Sequence, residues 1–287
     1  MSGALQRPWP APAKLNLFLH ILGRRADGYH ELQTCFQFVD LCDEITFEVR
    51  QDGKIRRSSE FAGVSEEADL CVRAARALQQ ASGTPLGADI SLLKRIPIGA
   101  GLGGGSSDAA TCLVALNHLW GLNLSTDELA ALGLKLGADV PVFVRGRVAW
   151  AEGVGERITL LYPPLAPAEN NYLILKPNVF VSTAAVFQDP ELTRNSPPIT
   201  IHGFLATGGM NDCLGVVRRR FSEVAQAFDW LSSFGAARLT GTGACVFLAC
   251  ASEARGREIL REVPAVWTGF LARGLNDSPL LERLAAG

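Results

Sequence analysis

The chain has 287 residues, enough for one large domain or two medium ones. Hydrophobic residues make up 48% and charged residues 20%, a composition typical of a soluble globular protein with a sizeable core. The net charge is −2 and no long run of one sign occurs, so a general attraction to nucleic acid or an anionic membrane is not favoured. A bound polyanion would have to be held by local groups.

Seven cysteines, an odd number, follow no zinc-binding spacing, and several lie in apolar runs such as "ACVFLAC". We predict reduced, buried thiols without a metal or redox role. The first residues lack the apolar region of a signal peptide, and no apolar run approaches the ~20 residues of a membrane span. We therefore expect a cytoplasmic protein that makes no use of a membrane.

Apolar alternation, helical spacing and turn residues predict the elements of the first half. In chain order they are strands at 14–22, 33–39 and 43–50, a helix within 66–83, a strand at 87–98, a helix at 106–120, a helix from a capping box at Ser125 to about Leu136, and strands with turns at 140–153.

A Pro-rich, non-periodic stretch at 161–171 predicts a break, with domains at 1–163 and 164–287. The second half is predicted to contain a strand at 172–178, a helix at 183–188, a loop at 188–200, helices around 211–234, a strand, glycine turn and strand at 237–250, and a helix at 252–262. Such a mixture favours an α+β fold over an alternating βαβ series.

The stretch "GAGLGGG" at 99–105 is costly to order, yet it directly precedes a predicted helix. Glycines let a ligand approach the main chain, and loop N–H groups together with a helix N-terminus attract an anion. A triphosphate is the occupant that this arrangement suits best. The competing interpretation is a flexible surface loop with Ser106 as an ordinary helix cap.

Three common phosphate loops do not fit. The Walker A pattern requires Lys where Gly105 stands. A dinucleotide site needs an acidic residue ending a second strand about 20 residues on, whereas Asp127 and Glu128 belong to a helix cap. The His-Arg-Asp and Asp-Phe-Gly motifs of protein kinases are absent from the sequence.

The stretch "PIGAGLGGGSSDAA" (97–110) instead resembles the second motif of the GHMP kinase superfamily. Gly104 and Gly105 are extra glycines typical of one branch, and Ala100 stands where members often have glycine. Further stretches that resemble this branch are "PAKLNLFLHILGRRADGYHEL" (12–32), "LGADVPVF" (136–143), "VSTAAVF" (181–187) and "LTGTGACVF" (239–247), the third superfamily motif, expected beside the nucleotide.

The resemblance implies a two-lobed GHMP kinase fold, with a ribosomal S5 domain 2-like N-terminal lobe, a ferredoxin-like C-terminal lobe and a ligand cleft between them. It also implies that ATP phosphorylates the 2-hydroxyl of a CDP-linked methylerythritol in isoprenoid precursor synthesis, with Mg²⁺ present. Ser107 or Asp108 could contact the metal, although Asp108 could equally favour the helix N-terminus as an ordinary acidic residue. The expected partners are small molecules, and a monomer and a homodimer both stay open.

The residues that the resemblance places at ATP are Lys94, Pro97, Ile98, Gly99, Ala100, Gly101, Leu102, Gly103, Gly104, Gly105, Ser106 and Ser107. Lys94 could alternatively be a solvated strand end. Asp139 is the expected proton acceptor, and the alternative is a helix cap. Lys14 is expected to keep Asp139 ionised and to offset γ-phosphate charge, although a lysine on an edge strand can also simply reach water.

The acceptor substrate is expected to meet Asn16, Tyr29, His30, Thr183 and Phe187. Tyr29 and Phe187 would stack on the cytosine, and His30 or nearby main chain would read its polar edge. The alternatives are an exposed polar residue for Asn16, a surface turn for His30 and core packing for Phe187. Two rival functions also stay open, a sister GHMP kinase acting on another alcohol and an ATP-binding protein without turnover.

Overall fold

The computed structural model describes residues 7–58 and 65–286. Its strands are β1 (Trp9–Arg24), β2 (His30–Arg50), β3 (Ile55–Arg57), β4 (Gly87–Leu93), β5 (Ala149–Gly153), β6 (Arg157–Leu160), β7 (Asn171–Pro177), β8 (Arg238–Leu239), β9 (Val246–Cys250) and β10 (Trp267–Leu275). Its helices are α1 (Leu70–Ser82), α2 (Gly104–Leu119), α3 (Thr126–Leu134), α4 (Val140–Arg145), α5 (Thr183–Phe187), α6 (Ile201–Thr207), α7 (Leu214–Arg220), α8 (Ser222–Ser232), α9 (Glu253–Arg261) and α10 (Pro279–Ala285).

One continuous sheet runs through the molecule. Along its main path the strands follow the order β3-β4-β2-β10-β7-β9-β8, while β1 and β5 also pair with β2, and β6 pairs with β5. The central strand β10 pairs antiparallel with β7 from Trp267 to Arg273 and then with β2 through Gly274 and Leu275. The predicted mixture of strands and helices is therefore confirmed, and β10 joins its two halves.

Two apolar cores define two lobes. The N-terminal lobe packs α1–α4 and α10 against β1, β2, β4 and β5. The C-terminal lobe packs α5 and α7–α9 against β7–β9 and the end of β1. A third cluster lies between them, where Phe18 of β1 contacts Trp150 and Phe204 with ring centroids 5.0 Å away in each case. These aromatic contacts add to the hydrophobic burial that holds the lobes together.

Local signals set several helix ends as the sequence predicts. The Asp69 side chain accepts hydrogen bonds from the main-chain N–H groups of Cys71 and Val72, and Gly83 ends α1 at a φ of 68°. The capping box at Ser125 is present, since its hydroxyl accepts from Glu128 N–H and the Glu128 carboxylate accepts from Ser125 N–H.

The prediction of strands over 140–153 is wrong in its first half. Val140–Arg145 is the helix α4, with Pro141 in its first turn and its first five residues buried. Proline at this position is preset for a helix and loses no hydrogen bond there. Burial of the whole segment then outweighs the strand preference of its valines.

Several elements differ in extent or were not predicted. The predicted strands at 33–39 and 43–50 are parts of the single strand β2, and α3 ends at Leu134. The sequence predicted none of β3, β6, α6, β10 and α10. Neither a helix nor a strand lies between Leu160 and Asn171, where a break was predicted; the domain boundary itself stays a prediction.

All seven cysteines are free thiols, and all except the partly exposed Cys42 are buried. Burial raises the pKa of Cys35, Cys213 and Cys245 to about 12, because a thiolate is poorly solvated in an apolar interior. These thiols are therefore protonated at neutral pH. Within the described ranges, every helix is too short or too polar to cross a bilayer.

Candidate active site

The glycine stretch forms a loop that leads directly into α2. Gly99, Gly101 and Gly103 have φ values of 63°, 76° and 73°, a left-handed conformation that other residues rarely adopt. Gly104 is already the first residue of α2. The main-chain N–H groups of the loop and of the first helical turn thus lie at one end of a helix dipole.

Two neighbouring segments hold this loop. Lys14 N–H of β1 donates to the Leu102 carbonyl over 2.9 Å, and Cys245 N–H donates to the Ala100 carbonyl over 3.1 Å. The Gly-Thr-Gly turn approaches so closely that a Cβ on Gly101 would lie 2.4 Å from the Thr240 carbonyl oxygen. Gly101 therefore has no room for a side chain.

A cavity of about 400 Å³, the donor cavity, lies beside the loop. Its wall contains the predicted ATP residues Lys94, Pro97, Ile98, Gly99, Ala100, Gly101, Leu102, Gly103, Gly104, Gly105 and Ser106, together with Asp69, Leu70 and Asp108. Ser107 lies behind this wall, fully buried, with a hydroxyl that has no hydrogen-bond partner among the described residues. The rest of the wall comes from Ala68, Cys71 and Leu92.

Lys94 is not a solvated strand end. Its ammonium group pairs with the carboxylates of Asp43 and Asp108, the latter at 2.7 Å. Asp43 is fully buried and also accepts main-chain hydrogen bonds from Arg95 and Ile96. Burial would lower the pKa of Lys94, but the two carboxylates raise it. This cluster fixes the chain at the entrance to the glycine loop.

Burial raises the pKa of Asp108 to about 7. The positive charge of Lys94 lowers this pKa, whereas the negative charge of Asp43 raises it further. One oxygen of Asp108 accepts from Lys94, while the other is buried without a partner in the part of the chain described. A buried oxygen of this kind has spare capacity for a ligand.

A second cavity of about 250 Å³, the acceptor cavity, lies on the other side of the loop and shares Gly101 and Gly103 with the donor cavity. Lys14 lines it, only 3% exposed, with its Nζ 2.5 Å from Asn16 Oδ1 and 3.4 Å from Asp139 Oδ2. The lysine therefore does not reach out to water. It holds a positive charge between an amide and a carboxylate at the cavity wall.

Asn16 is buried, so the alternative of an exposed polar residue is wrong. Its Nδ2 donates to Thr34 Oγ1 over 2.9 Å, its Oδ1 accepts from Lys14, and its main-chain N–H donates to Thr240 Oγ1. These bonds leave the amide one orientation, which directs Lys14 towards Asp139.

Asp139 directly precedes α4, as a helix cap would, but its side chain makes no capping hydrogen bond. The carboxylate instead faces the acceptor cavity, with about a third of the side chain exposed. An acid in this place can accept a proton from a hydroxyl bound in the cavity.

The other predicted acceptor residues come from both lobes. Thr183 and Phe187 line the cavity, and the Thr183 hydroxyl lies 2.9 Å from that of Thr242. His30 stacks directly on Phe187, with ring centroids 5.1 Å apart and an angle of 26° between the planes. Tyr29 is 65% exposed on the turn before His30. The structure thus brings His30 and Phe187 into direct contact.

Sequence reasoning missed three groups that shape the site. Asp43 lay within a predicted strand, where a buried carboxylate leaves no periodic signal. Arg194, whose Nε donates to His30 Nε2 over 3.0 Å, lay in a predicted loop. Thr242 belongs to the Gly-rich turn expected beside the nucleotide; this turn contacts the glycine loop at Gly101 and also lines the acceptor cavity. Of these three groups, only Thr242 lies in a stretch with a sequence signal, the glycines of its turn.

Comparisons with known proteins agree with this architecture. The model of the GHMP kinases N terminal domain matches residues 69–147, and the GHMP kinases C terminal model matches residues 204–269. A 4-diphosphocytidyl-2-C-methyl-D-erythritol kinase of Alkalilimnicola ehrlichii is 57% identical over 278 residues, 97% of this chain and 94% of the relative. One from Shewanella sp. (strain ANA-3) is 54% identical over 285 residues, 99% of each chain.

Solved structures give the same result. A crystal structure of a 4-(cytidine 5'-diphospho)-2C-methyl-D-erythritol kinase matches with a TM-score of 0.81 and 33% identity, over 93% of this chain and 98% of that one. The mevalonate kinase of Methanococcus jannaschii matches with a TM-score of 0.71 and 17% identity, over 96% of this chain and 100% of that one, and shares the fold. The two-lobed fold that the motifs imply is therefore confirmed.

Proposed function

This chain belongs to the 4-diphosphocytidyl-2-C-methyl-D-erythritol kinases of the GHMP kinase superfamily, and we propose that it phosphorylates the 2-hydroxyl of that compound with ATP. The observation that carries the proposal is the pair of cavities that share Gly101 and Gly103, one built around the glycine loop and the other lined by Lys14 and Asp139. The reaction belongs to the non-mevalonate route to isoprenoid precursors.

Main-chain chemistry makes the donor half suitable for a triphosphate. N–H groups of the glycine loop and of the start of α2 would bind the phosphate oxygens, and the helix dipole favours their negative charge. Within residues 7–58 and 65–286, no group of three or more His, Cys, Asp or Glu side chains is arranged to hold a metal ion by itself. The donor cavity has the Asp108 carboxylate at its wall, which fits Mg²⁺ carried on ATP, because this ion needs only one or two carboxylates beside phosphate and water.

Asp108 is the carboxylate that would hold Mg²⁺, because one of its buried oxygens is free of partners among the described residues. The ion would neutralise charge on the phosphates. Ser107 is a weaker choice, since it does not line the donor cavity.

The acceptor half supplies the proton acceptor and a fixed positive charge. A tertiary hydroxyl is a poor nucleophile, so positioning and charge neutralisation provide most of the rate gain in phosphoryl transfer. Asp139 would take the hydroxyl proton as the oxygen bonds to phosphorus. Lys14, held by Asn16, would offset the charge on the γ-phosphoryl group during transfer.

The remaining assignments follow from the same proposal. We assign residues 1–163 to the N-terminal GHMP domain and residues 164–287 to the C-terminal one. The seven free thiols suit a reducing compartment, which supports the cytoplasm as the location.

The test measures ADP release from the full-length protein with ATP and Mg²⁺. We expect turnover with 4-diphosphocytidyl-2-C-methyl-D-erythritol, little with mevalonate or homoserine, and competition by CMP or CDP against the acceptor. Turnover with another alcohol and no cytidine competition would identify a sister kinase. ATP binding without ADP release for any acceptor would indicate a protein without turnover.

A further inference from the structure

Arg194 makes a set of contacts that the proposed reaction does not use. The residue lies in the segment between α5 and α6, where it is partly buried and makes no ion pair with a carboxylate of the described residues. One of its terminal nitrogens donates to the carbonyls of Phe187 and Asp189, at 2.9 and 2.7 Å, and the other donates to the Leu192 carbonyl over 3.1 Å. Four hydrogen bonds therefore fix the guanidinium plane.

The fourth hydrogen bond determines which ring nitrogen of His30 carries the proton. The Arg194 Nε donates to His30 Nε2 over 3.0 Å. A guanidinium has only donors and stays protonated in proteins, so Nε2 must offer its lone pair. The neutral imidazole then carries its proton on Nδ1. This nitrogen makes no hydrogen bond within the described chain and is not buried, so it is open to a ligand.

The surroundings favour the neutral ring. Burial lowers the pKa of His30, and the charges of Arg194 and Arg24 lower it further. Phe187 covers one face of the imidazole and also lines the acceptor cavity. Arg194 donates hydrogen bonds to both residues, to the imidazole of His30 through Nε and to the main-chain carbonyl of Phe187 through a terminal nitrogen.

We propose that Arg194 is a positioning residue that keeps the proton of His30 on Nδ1, so that the imidazole donates a hydrogen bond to the cytosine of the acceptor substrate. This inference rests on the proposed function for the identity of the ligand. Cytosine presents two acceptors, N3 and O2, on the edge that pairs with guanine. A fixed donor matches either of them, whereas the other tautomer, with a lone pair on Nδ1, could pair only with the N4 amino group of that edge.

The first measurement is the tautomer itself, in long-range ¹H–¹⁵N spectra of the full-length protein labelled at histidine. The chain has four histidines, and His30→Gln identifies the signals of His30. We expect the Nδ1–H form in the wild type. Arg194→Met removes the donor and should populate the Nε2–H form, while Arg194→Lys keeps a donor and should restore part of the Nδ1–H signal.

The second measurement is steady-state kinetics of the same variants. Arg194→Met should raise the KM for the CDP-linked substrate about tenfold, the cost of leaving a hydrogen-bonding group of the cytosine without its partner, with kcat and the KM for ATP nearly unchanged. Arg219→Met is the matched control, because Arg219 pairs with Asp189 and Glu191 of the same segment without touching His30. An unchanged KM for ATP also shows that the variant has folded.

An Nε2–H or doubly protonated His30 in the wild type at pH 7.5 overturns the inference. So does an Arg194→Met protein whose tautomer and acceptor KM equal those of the control variant. Failure of the proposed function is distinct, since the wild type would then show neither cytidine competition nor turnover while the spectra still report the tautomer.

Discussion

The donor and acceptor halves of the site are built in different ways. The donor half is built around one continuous glycine-rich stretch, residues 97–106, with further side chains from α1, α2 and the end of β4 around it. The acceptor half gathers side chains from β1, β2, the start of α4 and α5. A main-chain site depends on conformation and tolerates changes of side chain that preserve it, whereas a side-chain site depends on each group separately. Substitutions in the two halves should therefore impair the protein in different ways.

The largest effect is expected in the acceptor half. Asp139→Asn removes the proton acceptor but keeps the shape of the side chain, so kcat should fall at least ~10²-fold with both KM values nearly unchanged. Asp127→Asn is the control, since Asp127 is an exposed carboxylate paired with Arg145 on the neighbouring helix. Near-normal turnover of Asp139→Asn would remove this residue from the mechanism.

The next effect tests the main-chain character of the donor half. Gly101→Ala would force a Cβ against the Thr240 carbonyl, so we expect the KM for ATP to rise at least about tenfold and the unfolding free energy to fall by about 3 kcal/mol. Gly121 has a similar φ of 66° but open space around it, so Gly121→Ala should cost only about 1–2 kcal/mol. Equal losses of unfolding free energy for Gly101→Ala and Gly121→Ala, measured by thermal unfolding, would show that the left-handed backbone alone determines the cost at Gly101, without a clash at Thr240.

Asp108 provides a smaller, pH-dependent effect. Its pKa of about 7 in the folded protein lies above the ordinary value of 3.8, so between these pH values the folded state binds more protons than the unfolded state. The contribution of Asp108 to the unfolding free energy should therefore fall as pH rises from 4 to 7, by up to about 1 kcal/mol per pH unit. Denaturant unfolding of Asp108→Asn should lack this slope, while the surface variant Asp229→Asn should keep it.

The smallest effect concerns a neutral hydroxyl pair. Thr183→Val removes the hydrogen bond to Thr242, which should raise the KM for the acceptor less than about tenfold and leave the KM for ATP unchanged. Steady-state kinetics with each substrate varied in turn would show this. An equal rise in both KM values would mean that Thr183 supports the shared glycine wall rather than the acceptor alone.

The same contrast explains what could be predicted. The glycine loop and its helix were identified because one local stretch carries the signal. Lys14 and Asp139 were paired only through the family resemblance, since 125 positions separate them and no local pattern links them. Arg194 was missed because nothing in a Pro-rich loop marks an arginine whose side chain bonds an imidazole at the start of the distant strand β2.

The elements of the fold also fall into those that could be predicted from their own residues and those that could not. The capped helix after Ser125 could be read from its own residues. The valine-rich helix α4 could not, because burial against neighbouring helices outweighs its intrinsic preference. The central strand β10 was missed although it joins both halves of the sheet, since its residues from Trp267 onward are mostly half-buried and lack a clean alternation.

The buried thiols offer a built-in set of reporters for motion in this molecule. Cys71 and Cys112 lie in one core, and Cys213 lies in the other. An alkylating reagent attacks the thiolate of an accessible cysteine, so at neutral pH each buried site can be labelled only while its surroundings are transiently open. The order in which these sulfurs become labelled would therefore rank the opening free energies of the two lobes without any probe being engineered.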